Sequence, residues 1–222
     1  MLKLLKTTGI LTLAGTLAVP AAFAATTPAV YQEGVNYVRV VPMQPVNVDP
    51  GEVQVLDFFW YGSPRCAELE PYLQSWADHK PQDVVLTRVP AALNPQWDLD
   101  ARAYYTAVQL GVAGRVDAAV YAAVNTRHQS FTNVTDYERL FTSELGISPA
   151  KFTAAWNSLN VDTALENAKV LAQRYGVTRV PTLAVDGAWL TGAGYKLATP
   201  QIMNAVSWLV QRELAVQPAG TP

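Results

Sequence analysis

Asp57-Phe58-Phe59-Trp60-Tyr61-Gly62-Ser63-Pro64-Arg65-Cys66 decides how this chain is read. An apolar run that begins at Val53 and is broken only by Gln54 and Asp57 extends to Trp60. A run of that length suits a central strand buried on both faces. Ser63-Pro64 then opens a helix. Serine is a preferred N-cap, and proline at the first helical position lacks only a hydrogen that would go unbonded anyway. The helix is expected to reach about Ala77, with Leu69, Leu73 and Trp76 on one face and a kink at Pro71. Val84 to Val89 reads as a second buried-type strand, which completes a βαβ unit.

Outward from that unit, Asn36 to Val41 alternates and is β-branched, the pattern of a short strand. Pro42 to Gly51 is a proline-rich loop ending in the turn Asp49-Pro50-Gly51. Downstream the period becomes helical. Trp97 to Leu110 stops at Gly111, and Val116 to Asn125 is alanine-rich. Thr135-Asp136-Tyr137-Glu138 has the form of a capping box for a helix to Leu145, closed by Gly146. Ser148-Pro149 starts a short helix through Trp156, and Val161 to Tyr175 a longer one ended by Gly176. Strand character returns at Thr182 to Val185. Asp186-Gly187 is a hairpin signal, with Ala188 to Thr191 as the partner strand. Thr199-Pro200 caps a last helix to about Leu214, and Pro218 to Pro222 is a frayed tail. The order describes an α/β domain interrupted by helices, with no Pro/Gly/Ser linker between the parts.

The N-terminus carries a different signal. Lys3 and Lys6 precede a mostly apolar stretch from Ile10 to Val19, and Ala22-Phe23-Ala24 fits a cleavage site. Residues 1–24 are therefore read as a secretory signal peptide, followed by a flexible arm over 25–35. The apolar stretch is too short for a stable membrane anchor. Cleavage would leave 198 residues and, with two lysines gone, take the net charge from −2 to −4. That mild acidity without a basic cluster argues against nucleic acid as a partner. His79 and His128 are isolated, so no metal site is expected. Export implies an oxidising compartment, where paired cysteines are usual. Cys66 is the one cysteine of the chain, so no internal disulfide can form.

The strand–turn–helix setting is that of a C-x-x-C redox motif in which Ser63 holds the first cysteine position. Disulfide exchange needs a thiolate that attacks sulfur, and the Ser63 alcohol cannot supply one. Ser63 is then either an N-cap alone or a donor to a ligand's thiolate or carbonyl. Two readings stand for Cys66. It is a small buried hydrophobe, or its place near a helix N-terminus beside Arg65 favours a thiolate. Asp57 interrupts an apolar strand, which is costly unless the acid is partnered or functional, and burial should raise its pKa. Trp60, Tyr61 and Trp189 fit core packing or an apolar rim.

These residues resemble the DsbA family of periplasmic thiol:disulfide oxidoreductases. The resemblance is carried by Val55-Leu56-Asp57-Phe58-Phe59-Trp60-Tyr61-Gly62, by Gly176-Val177-Thr178-Arg179-Val180-Pro181-Thr182 and by Ala154-Ala155-Trp156-Asn157-Ser158. It implies a thioredoxin fold over 36–95 and 176–216 with an inserted helical domain over 96–175. It implies that Asp57 is the buried acid beneath the site, Cys66 the inner cysteine and Val180-Pro181 the cis-proline loop that pairs with a bound peptide. Pro64 and Arg65 would face the same ligand. The chain departs at Ser63, at Arg65 in place of the usual histidine, and at Ala67 in place of a common aromatic. The implied partners are extended or unfolded exported polypeptides and a membrane redox partner, and no cofactor is required. An alternative resemblance is to the kappa-class glutathione transferases, whose Ser-Pro stabilises the glutathione thiolate.

Overall fold

The computed structural model describes residues 31–216. The signal peptide read at 1–24 and the tail at 218–222 lie outside them. Five strands form one sheet in the order β1-β5-β4-β2-β3. They are β1 (Val38–Arg39), β2 (Val53–Phe59), β3 (Val84–Pro90), β4 (Thr182–Val185) and β5 (Trp189–Gly192). β2 pairs parallel with β3 and antiparallel with β4. Seven α-helices complete the described chain: α1 (Pro64–His79), α2 (Pro95–Gln109), α3 (Ala113–Tyr121), α4 (Val134–Ser143), α5 (Pro149–Trp156), α6 (Leu159–Arg174) and α7 (Thr199–Leu214). A π-helical turn over Ala122–Thr126 extends α3.

The sheet is central because every residue of β2 is buried. Its side chains alternate between faces with period two. Val53 and Val55 face α1 and α7, packing with Leu69, Leu73, Ile202 and Leu209. Leu56 and Phe58 face the other way, onto Ala168 and Ala172 of α6. The second face of the sheet is thus covered from within the stretch 96–175 that reads as an insertion. A third cluster joins Phe59, Tyr61 and Cys66 to Ala103, Val120, Tyr137 and Phe141 of the helices. The expected packing of helical part on sheet is therefore real, and it passes directly beneath the Ser63–Cys66 turn.

Several boundaries differ from expectation. β1 has only two residues; Tyr37 bridges to Glu33, and Val40 donates to the Ala188 carbonyl at 2.7 Å just before β5. Residues 31–35 are no free arm: Glu33 bridges to Tyr37, and Tyr31 packs on Trp208 at 5.7 Å between ring centroids. The α4 cap is Asn133, whose Oδ1 accepts from Asp136 N at 3.1 Å, not Thr135. Asp136 accepts the Thr132 N–H at 2.9 Å, so it ties down the residue before the cap rather than the cap itself. α7 starts at Thr199 with Ala198 at the cap, and Gln201 Oε1 takes the Ala198 N–H at 2.9 Å. α1 runs through Pro71 to His79. β3 is not buried like β2, since Val85 and Leu86 are partly accessible and Thr87 is exposed.

The hairpin between β4 and β5 follows from backbone geometry. Asp186 and Gly187 both have positive φ, 49° and 67°, as a two-residue type I′ turn requires. A Cβ on Gly187 would stand 2.0 Å from the Gln44 carbonyl oxygen. Gly187→Ala is therefore expected to cost about 1–3 kcal/mol, read as a lowered urea midpoint. Gly114→Ala, which meets nothing within 4 Å in the first turn of α3, is expected to leave the midpoint unchanged or raise it. Equal effects of the two substitutions would contradict this reading of the turn.

Candidate functional site

α1 begins where β2 ends, and its first turn is built as the sequence implies. Ser63 is the N-cap, and its Oγ accepts the Cys66 N–H at 3.2 Å. Pro64 and Arg65 are exposed on the first turn, whereas Ser63 and Cys66 are buried. Successive helical residues point about 100° apart, which separates Arg65 from Cys66. Arg65 Nη1 instead donates to the Ala193 carbonyl at 3.3 Å. Of the two readings of Cys66, its burial fits the small buried hydrophobe rather than a thiolate beside Arg65. Burial pushes the Cys66 thiol up to about 12 against a smaller opposing pull from the Ser63 hydroxyl.

Beneath Cys66 lies a buried charge cluster. Asp57 and Arg88 are register partners on adjacent strands. Arg88 Nε donates to Asp57 Oδ2 at 3.2 Å. Its Nη1 donates to Glu70 Oε1 at 2.9 Å and to Asp117 Oδ2 at 2.8 Å, and its Nη2 to Glu70 Oε2 at 2.8 Å. The guanidinium also lies 4.3 Å over the Phe59 ring. Tyr61 donates its hydroxyl to Asp117 Oδ1. One cation thus ties β2, β3, α1 and α3 together. Three carboxylates face one guanidinium, so full ionisation would leave the cluster negative. Burial raises the Asp57 carboxyl to about 6 although Arg88 pulls it down, and burial raises Asp117 as well. Asp57 Oδ1 and the Tyr121 hydroxyl are buried atoms without a hydrogen-bond partner. The direction of the Asp57 shift is the one burial implied, whereas its partner, Arg88, is not one the sequence reading named.

The second expected segment joins the same place. The Val180–Pro181 peptide is cis, and Pro181 lines a crevice with Asp57, Cys66, Arg88 and Tyr121. The Pro181 carbonyl accepts from Ala193 N at 2.9 Å. Among the described residues, the N–H and C=O of half-buried Val180 make no hydrogen bond. Ser63, Cys66, Asp57 and Pro181 therefore converge, with Pro64, Arg65 and Val180 at the surface of the same site. A second cis bond, Val41–Pro42, lies outside it and was not expected.

Trp60 closes the other side. Its ring stacks on Trp97 with centroids 4.3 Å apart, and Nε1 donates to Asp100 Oδ2 at 2.6 Å. Tyr137 donates to the other Asp100 oxygen at 2.6 Å. Burial raises Asp100 to about 6 against both hydrogen bonds. The ring lies over Gly62, where any Cβ would stand 2.2 Å from it. Tyr61 and Trp189 are core residues and form no rim. Sequence reasoning missed Glu70, Arg88, Asp100 and Asp117. Their one signal was a charged side chain at a position of apolar period: Arg88 between Leu86 and Val89, and Asp100 and Asp117 within buried helix faces.

Sheet order, cis-proline turn and helical insertion define a thioredoxin fold carrying an inserted helical domain. Residues 38–196 match the family described as the DSBA-like thioredoxin domain. The chain belongs to that family. It is 30% identical over 185 residues to the Thiol:disulfide interchange protein DsbA of Pseudomonas aeruginosa, covering 83% of this chain and 87% of the relative. The DsbA of Bordetella parapertussis is 34% identical over 175 residues, covering 77% and 82%. The crystal structure of Pseudomonas aeruginosa DsbA superposes with a TM-score of 0.78 at 30% identity, covering 83% of this chain and 95% of that one.

The cluster makes stability depend on pH with a definite sign. Asp57 and Asp100 bind a proton more tightly folded, at about 6, than an unperturbed aspartate does, at 3.8. The folded state therefore holds more protons between these values, and stability falls as pH rises through 6. Moving from pH 7.5 to pH 5 is expected to raise unfolding free energy by about 1–3 kcal/mol, read from urea midpoints. Arg88→Met should cost about 3–5 kcal/mol at pH 7.5 and less at pH 5. A flat or opposite pH response would contradict the charge balance described.

Proposed function

We propose that this protein is an exported, periplasmic DsbA-like protein that holds extended segments of unfolded polypeptides without oxidising them. The observation that carries the reading is the free main chain of Val180 at the cis-proline turn. An extended peptide laid beside it gains main-chain hydrogen bonds by strand addition, a mode that needs no thiol. Pro64 and Arg65 flank that position from the first turn of α1. A dithiol exchange would require a nucleophile at residue 63, and Ser63 has only a hydroxyl, whose oxygen caps the helix. Single-thiol exchange through Cys66 would require access and ionisation, and burial opposes both. A membrane redox partner would find no thiol pair to reoxidise. A glutathione site at Ser63 would need that hydroxyl open to a ligand, and Ser63 is buried. The geometry favours the polypeptide.

Two measurements test this. Titration with an extended peptide from an exported protein should show saturable binding by the wild type and by Cys66→Ala alike. The wild type should be inactive in insulin reduction and in thiol-peptide oxidation, while Ser63→Cys, which restores the motif, should gain measurable activity. Absent binding, or redox turnover by the wild type, would overturn the proposal.

A further inference from the structure

The turn after β5 receives two guanidinium groups at consecutive residues. Arg65 Nη1 donates to the Ala193 carbonyl at 3.3 Å. Arg179 packs so closely on Gly194 that a Cβ there would stand 2.9 Å from its Cδ and 3.4 Å from Nε and Nη1. Consecutive Cα atoms are about 3.8 Å apart, so the two cationic groups lie within about 10 Å of each other. Ala193 N–H is bonded to the Pro181 carbonyl at 2.9 Å, which fixes both arginines to the cis-proline turn. Both are exposed, and neither makes an ion pair among the described residues. Lys196, two residues beyond Gly194, is likewise exposed and without an ion pair. Glu68, one turn after Arg65, is exposed and pairs with none of them. In a chain of net charge −2, this is a local excess of unneutralised cations.

Arg179 also opens onto a recess of about 210 Å³, shared with Thr178, Leu190, Gly194 and Tyr195. It is the one charged side chain of that lining. Thr178 and Tyr195 add hydroxyl donors, and burial raises the Tyr195 phenol, so it keeps its proton at neutral pH. The recess has donors in excess and no carboxylate, with Leu190 as an apolar wall. Its complement is a short methylene stem ending in a carboxylate. A guanidinium binds such a group through charge-assisted hydrogen bonds about twice as strong as neutral ones.

We propose that this recess is an acidic-residue subsite of the polypeptide site, in which Arg179, assisted by Arg65, selects extended segments that place Asp or Glu beside Val180. The inference rests on the polypeptide reading above and names the class of segment that site prefers.

The test uses two fluorescein-labelled, end-capped nonapeptides that differ only in a central Glu or Gln, followed by fluorescence anisotropy on the mature wild-type protein. The Glu peptide should bind about five- to tenfold tighter at low ionic strength, and the preference should shrink with added salt. Arg179→Gln should abolish the preference by bringing Glu-peptide affinity down to that of the Gln peptide. Equal affinities in the wild type would overturn the subsite and leave the polypeptide reading standing. So would a preference that survives in Arg179→Gln and in the double variant with Arg65→Gln. Binding of neither peptide would overturn both. Displacement of the Glu peptide by reduced glutathione at similar concentration would overturn the polypeptide assignment in favour of a small acidic thiol.

Discussion

Arg88 is the interaction on which the rest depends. It lies buried on β3 and donates four hydrogen bonds to three carboxylates from β2, α1 and α3. The strand that leads into the site, the helix that starts it and the inserted helical part are joined at one side chain. Such a cluster is costly to desolvate, and replacing it by apolar residues is often neutral or stabilising. Its retention here is understood through position rather than strength. A single guanidinium fixes where α1 begins relative to β2, and hence where Ser63, Cys66 and Pro181 meet.

The same burial decides the chemistry. Asp57 and Cys66 are adjacent in the cluster, and each is pushed toward its neutral, protonated form. A helix N-terminus ordinarily favours a thiolate, but the dipole contributes about 0.3–1 kcal/mol. Burial of the sulfur pushes the thiol the other way, and its effect is the larger. Desolvation wins, and Cys66 behaves as a core residue. What stays accessible is main chain and cation: half-buried Val180, whose main chain makes no hydrogen bond among the described residues, exposed Pro64 and Arg65, and exposed Arg179 on the turn.

Much of this was legible in the sequence, because local rules wrote it. β2 is an apolar run broken only by Gln54 and Asp57, Ser63-Pro64 and Ser148-Pro149 are caps whose partners lie three residues away, and Asp186-Gly187 sets its own turn. Non-local features were not legible. Asp57 and Arg88 are 31 residues apart, and only the parallel register makes them neighbours. Asp117 reaches the same cation from an alanine-rich helix whose buried face cannot be assigned without knowing what it meets. That α6 covers the sheet followed from tertiary packing, which sequence order cannot supply. Cys66 was read two ways, and the helical row decides between them. It stands three residues before Leu69 and seven before Leu73, so the row that buries them also buries its sulfur. The Asn133 cap was obscured by Thr135, an equally acceptable cap two residues on.

A site that binds without exchanging disulfides requires its one thiol to be sealed. The rate of Cys66 modification by a small uncharged alkylating reagent, followed by mass spectrometry at pH 7.5, measures this directly. The native protein should remain unmodified over hours and be modified stoichiometrically once unfolded in guanidinium chloride. Modification of the native protein at the rate of a free cysteine, or its capture as a mixed disulfide by oxidised glutathione, would contradict a sealed thiol.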